Sequence, residues 1–173
     1  MKNSTKNSVM VFVALLLLTV LSRFTSHMWN FTVCGGVFLF AGAYFKDKKV
    51  SFALMLLAML ISDSIIGFHN QMPLVYFSYA IVVGLGLFVK QSAPRLQVLG
   101  LSFLGTLLFF LITNFGVWFG GTMYPQTVAG LVDCYMMGLP FYRNQLTSDL
   151  FTSLALFEVA KSVGIWAEQK AKA

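Results

Sequence analysis

What most constrains this chain is a repeating alternation. Apolar runs about as long as a bilayer is thick are broken by short gaps that carry most of the lysines. A membrane-crossing helix needs roughly 17–25 predominantly apolar residues. Six runs meet or approach that length, at about 8–24, 29–45, 50–68, 74–89, 96–119 and 146–166. Only 10% of the residues are charged and 58% are hydrophobic, whereas an ordinary soluble domain carries about 25% charged residues. The expected fold class is an all-α membrane protein, with residues 1–173 forming a single integral domain of six transmembrane helices.

The gaps give a direction. Lys2, Lys6, Lys46, Lys48, Lys49, Lys90, Arg95, Lys161, Lys170 and Lys172 fall on one side of that layout, and only Arg23 and Arg143 fall on the other. Basic residues collect on the cytoplasmic side of membrane proteins, so both termini are expected there. The formal net charge of +6 therefore reads as orientation. No basic face interleaved with aromatics is present, and nucleic acid is not an expected partner. The opening MKNSTKNSVMVFVALLLLTVLS has a signal-peptide outline, but SRFTSHMWN offers no small-x-small cleavage site, so the first helix is expected to be retained.

Gly120–Gln145 fits no plain hairpin. It is semi-apolar and bracketed by Pro125 and Pro140, and reads as an outer loop carrying a short surface or re-entrant helix at about 126–137. Such backbone is tolerated where it packs on protein or lines a cavity. The second run is rich in small residues (Cys34, Gly35, Gly36, Ala41, Gly42 and Ala43), as close helix–helix approach requires.

Polar side chains concentrate on the outer side. Asp63 is the costly one, since a carboxylate inside a span is unfavourable by roughly 2.5–3.5 kcal/mol at mid-bilayer. It could reach interfacial water, pair with Arg23 or Arg143, or organise a ligand. Tyr76 and Tyr79 share a helical face and suit either an aromatic belt or a pocket wall. Asn114 and Trp118 share another, and an Asn at that depth commonly bonds across helices. Glu158 and Lys161 suit an intrahelical pair. Cys34 and Cys134, with His27 and His69, match no metal-ligand spacing, so no metal site and no resident cofactor are expected. No GxSxG, HExxH or Walker A sequence occurs, and the chain is not expected to be an enzyme. The outer asymmetry is what a ligand pocket capped by loops would produce.

Four stretches carry a resemblance: HMWNFTVCGGVFLFAGAYF at 27–45, LISDSIIGFHNQMPLVYFSY at 60–79, FFLITNFGVWFGGTMYPQTVAGLVDCY at 109–135 and LPFYRNQLTSDLFTSLALF at 139–157. They resemble a bacterial inner-membrane family of unknown function, with an HPxNFTP-like opening, an SDxxxGFH step, an ITNFGVW stretch and an LPFxRN–GDL ending. Met28 and Val33 stand where that family has prolines, and Thr147-Ser148-Asp149 replaces its glycine-containing ending.

The architecture is similar to the substrate-binding S-components of energy-coupling-factor (ECF) vitamin importers, nearest the solitary cobalamin transporters. That resemblance implies uptake of a vitamin-sized solute, such as a corrinoid, through an outward pocket in the inner membrane. The pocket residues it implies are Asn30, Asp63, His69, Asn114, Tyr135, Arg143 and Asp149, with Tyr76, Tyr79 and Trp118 adding apolar contact. For a corrinoid, His27, His69 or Cys34 would be the residue to meet cobalt. The implied partners are the lipid bilayer, a small-molecule ligand and an energising module, although helix one (VMVFVALLLLTV) lacks the AxxxA pattern that packs on such a module. The alternatives are a membrane enzyme at the outer surface, using Asp63 or Asp149 with His69, and a non-catalytic scaffold. An outward cavity of roughly 300–1,000 Å³ separates binding from scaffold.

Overall fold

A computed structural model describes residues 2–25, 30–90 and 92–165; side chains are described for these except residues 2–5 and 25. Among the described residues all regular structure is helical, in six helices: α1 Lys2–Thr25, α2 Cys34–Tyr44, α3 Lys48–Ile66, α4 Met72–Gly86, α5 Arg95–Gly120 and α6 Val128–Ser162. The segments Lys6–Phe24, Lys48–Ile66 and Arg95–Gly120 are each long and apolar enough to cross a membrane. Their outward faces are greasy, with Val13, Leu17, Leu57, Ile61, Phe103 and Leu111 all exposed. Water would penalise such a surface and lipid would not.

The shortest helix is the centre. α2 packs against all five others, and ten of its eleven residues are buried. Its small residues explain how. A Cβ on Gly42 would land on the backbone carbonyl of Val83, and one on Gly86 would land on that of Leu39. The α2–α4 contact is therefore backbone on backbone, as the small-residue pattern predicts. Phe38 and Phe40 project from α2 to meet Tyr79 and Phe157 edge-on, at 5.0 and 5.2 Å between ring centroids.

Two expectations need correction. The second run is helical over 34–44 rather than 29–45: Asn30–Val33 is non-helical, with Asn30 at φ 60°, a left-handed conformation that Asn tolerates better than most residues. At 1.5 Å per residue α2 is only ~16 Å long. The expected surface helix at 126–137 and the sixth span at 146–166 are one continuous helix, α6, of 35 residues. Pro140 lies inside it and ought to interrupt it, because proline lacks the N–H that a helix interior needs. Packing on α5 overrides that local preference. Gly138 sits against Phe110 and Asn114, and Tyr135 and Tyr142 flank the Phe110 ring at 5.6 and 4.8 Å. Two helix starts, of α3 and α6, are capped by side chains: Asp47 accepts from Lys49 N at 3.0 Å and Thr127 from Gly130 N at 3.1 Å, each satisfying a first-turn donor.

The bundle thus has two unlike ends. The basic end gathers Lys46, Lys48, Lys49, Lys90 and Arg95. There Glu158 pairs with Arg95 at 2.9 Å and, within α6, with Lys161 at 3.6 Å. The loop end holds the last turn of α1, the stretch before α2, the α3–α4 turn and the loop from Gly121 to Thr127.

Candidate functional site

The loop end contains two adjoining cavity lobes of about 300 and 310 Å³. They exist because α2 is short. Its first residue, Cys34, sits at the inner wall of the larger lobe together with Thr32, so the space that a full-length helix would fill is open. Asn30, Phe109, Thr113, Val117 and Gln145 line both lobes and mark where they meet. The larger lobe adds Arg23, Met59, His69, Gln71 and Tyr79. The smaller adds Phe110, Asn114, Cys134, Met137, Phe141 and Tyr142.

Arg23 is the side chain that organises the larger lobe. Its Nη2 lies 2.6 Å from Asp63 Oδ1, and its Nη1 donates to Ser62 Oγ at 2.7 Å and contacts Met59 Sδ at 3.2 Å. Tyr76 donates from its hydroxyl to Asp63 Oδ2 at 2.7 Å. Asp63 is 1% exposed and Arg23 15%, so the carboxylate is sealed behind the guanidinium and lines neither lobe. Arg143, the other arginine weighed as a partner for Asp63, is instead exposed. A residue two positions along a helix points nearly opposite its neighbour, and it is Gln145, 4% exposed, that turns inward.

A second buried carboxylate underlies the cavity. Asp149, 2% exposed, accepts from Gly36 N at 3.2 Å and from Thr106 Oγ1 at 2.8 Å. Gly36 is the third residue of α2, so Asp149 does from a neighbouring helix what an N-cap side chain does locally. The helix dipole favours an anion there. Gly35 is required by the same contact, because a Cβ would fall on the Asp149 carboxyl group. On the α5–α6 seam below, Ser153 donates to Ser102 Oγ at 3.0 Å.

The sequence-derived site residues therefore divide. Asn30, His69, Tyr79 and Asn114 line the cavity, as does Cys34. Asp63 and Tyr76 stand behind Arg23, and Asp149 lies beneath α2. Trp118 and Tyr135 serve the loop end differently. Trp118 Nε1 donates to Pro125 O at 2.9 Å and Tyr135 OH donates to Leu111 O at 2.9 Å, which ties the loop and the start of α6 to α5. The Asn114 amide donates to Phe110 O, within its own helix, at 2.9 Å, rather than to another helix. His27 lies outside the described residues. Gln71, Thr113 and Gln145 were not singled out, and Arg23 was weighed only as a partner for Asp63. A face signal existed for Gln145: Cys134, Gly138, Gln145, Asp149 and Thr152 recur at helical spacing once α6 is read as continuous.

The fold and site define a helical membrane-type protein with a part-polar cavity at one end of its bundle. The chain belongs to a family of unknown function, DUF6580, whose model matches residues 3–171. No curated protein and no solved structure matches it.

Proposed function

We propose that this protein is a six-span inner-membrane protein that binds a vitamin-sized solute at its loop end and carries it inward, in the manner of an ECF S-component. The observation that carries this reading is the two-lobed cavity, about 300 Å³ per lobe, with a few convergent polar groups among aromatic walls. That combination is how small-molecule sites are built. Non-helical backbone at Asn30–Val33 bordering the space fits the rule that irregular backbone inside a membrane protein lines cavities. In this reading the basic end is cytoplasmic and the loop end outward, and the termini are cytoplasmic.

An open cavity speaks against a filled scaffold. The surface-enzyme alternative is weaker, because Asp63 is engaged by Arg23 and Tyr76 and Asp149 by α2 and Thr106. A corrinoid is a large cargo for two lobes of this size. If one is carried, His69 and Cys34 are the larger-lobe residues that would face its cobalt. An energising module remains part of the proposal, on a helix-one surface other than AxxxA.

Native mass spectrometry of the detergent-purified chain tests the reading. A co-purifying small molecule is expected, and Val117→Trp, which fills the junction of the lobes, should remove it while Arg143→Ala keeps it. A molecule retained by Val117→Trp would move the site elsewhere.

A further inference from the structure

The geometry points to an anionic amphiphile as the ligand class: one carboxylate, phosphate or sulfonate group on an apolar body about the size of an aromatic ring system. This rests on the cavity being the ligand site, as proposed above, and narrows what it holds.

The two lobes have different chemistry. Among the described residues, Arg23 is the only permanently charged side chain lining either of them. Its counterion Asp63 is buried behind it and touches neither lobe, so the pair presents its positive end to the space. Tyr76 donates to the same carboxylate, which holds the anion back from the cavity. Among the described residues Arg23 makes three contacts, with Met59, Ser62 and Asp63, whereas a guanidinium has five N–H donors. Two helices also begin at this lobe. Cys34 opens α2, where the Asp149 carboxylate already meets the first-turn N–H groups. Gln71 instead holds the N-cap position of α4 with no side-chain capping bond. Both line the lobe, and the open α4 N-terminus favours negative charge. An incoming anion gains a charge-assisted hydrogen bond. An incoming cation meets Arg23 with no exposed carboxylate to offset it.

The smaller lobe has no ionised side chain among its described lining residues. Its wall is built from rings: Phe110 lies 4.8 Å from Tyr142, and Phe109, shared by both lobes, lies 4.5 Å from Tyr79. Such walls favour flat apolar bodies. A wholly polar solute would leave this surface without a partner. Asn30, Thr113 and Gln145 at the junction offer neutral hydrogen bonds midway, so head and body can be held at once.

The same chemistry is available in an anionic phospholipid entering from the bilayer, and the experiment separates the two sources. In one arm, equilibrium dialysis of the purified full chain compares 3-phenylpropionate with 3-phenylpropionamide, its neutral counterpart of the same shape. In the other, native mass spectrometry compares lipid retained from nanodiscs of phosphatidylglycerol and of phosphatidylcholine. A preference of tenfold or more for the anion in either arm is expected. It should fall below twofold in Arg23→Gln/Asp63→Asn, which replaces the ion pair by neutral amides; circular dichroism checks its fold. No anion preference in either arm overturns the assignment, and so does a preference that survives the double variant. The wild-type comparison decides the matter even if the double variant does not fold. Failure of the cavity reading would look different: Val117→Trp would leave binding of the preferred probe unchanged.

Discussion

Arg23 Nη2 lies 2.6 Å from Asp63 Oδ1, joining the last turns of α1 and α3. Removing one member of a buried pair leaves an uncompensated charge, a loss of about 3–5 kcal/mol. Arg23→Ala should therefore lower the unfolding midpoint sharply, by the largest amount of any single change at the loop end. Arg23→Gln/Asp63→Asn should recover more than half of that loss, since both charges go together. Thermal unfolding in detergent measures both. A double variant no more stable than Arg23→Ala would mean that hydrogen bonding within the pair, and not charge balance, holds the two helices.

Asp149 makes a different prediction, because among the described residues it has hydrogen-bond donors and no ion-pair partner. Asp149→Asn keeps an acceptor for Gly36 N and sheds a buried charge, so its cost should be small. Asp149→Leu leaves the Gly36 N–H without that acceptor, at about 1–3 kcal/mol for a buried unsatisfied group, whereas the Thr106 hydroxyl keeps Ser102 O as acceptor at 3.0 Å. Gly35→Ala should resemble Asp149→Leu, since its methyl would displace the carboxyl group. Equal midpoints for Asn and Leu at position 149 would remove the capping role.

Much of this architecture is legible in the sequence, and the exceptions share a cause. Apolar length located α3, α4 and α5 to within a few residues, because lipid or core burial of a whole run leaves a strong signal. The small residues of 34–43 announced the tight packing of α2. What failed was local chemistry overruled by contacts distant in sequence. Pro140 argued for a break, yet the Phe110 ring and Asn114 hold α6 together across it. Asn30–Val33 looked helical by hydropathy but is drawn out of helix at the cavity mouth, where Thr32 O accepts from Ser148 at 2.7 Å. The choice between Arg23 and Arg143 as the partner of Asp63 stayed open in the sequence because charge sorting by side gives no helical phase, and phase places Arg143 outward.

The α2–α4 contact can be tested within one helix. Gly84 and Gly86 both lie on α4, but a Cβ on Gly84 would meet nothing within 4 Å, whereas one on Gly86 would strike the Leu39 carbonyl. Gly84→Ala should be neutral or stabilising by up to ~1 kcal/mol, the helix-propensity gain. Gly86→Ala should destabilise by about 1–3 kcal/mol, as overpacking does. Matched midpoints for the two variants would deny the backbone contact between α2 and α4.

The proposed orientation can be tested at the two ends of α5. Its 26 residues extend ~39 Å at 1.5 Å per residue, enough to cross the ~30 Å hydrocarbon core, so Lys90 and Gln126, in the loops flanking it, belong on opposite sides. Cys34 and Cys134 are buried and should label slowly, which permits single reporter cysteines in the native background. In intact bacterial cells a membrane-impermeant maleimide should modify Gln126→Cys, while Lys90→Cys and Lys48→Cys should react only after the membrane is opened. The proposed orientation requires that order, because positive charge is retained on the cytoplasmic side. Labelling of Lys90→Cys in sealed cells, with Gln126→Cys protected, would invert the protein and turn its cavity toward the cytoplasm. Solute capture from outside would then be untenable, although the cavity itself would stand.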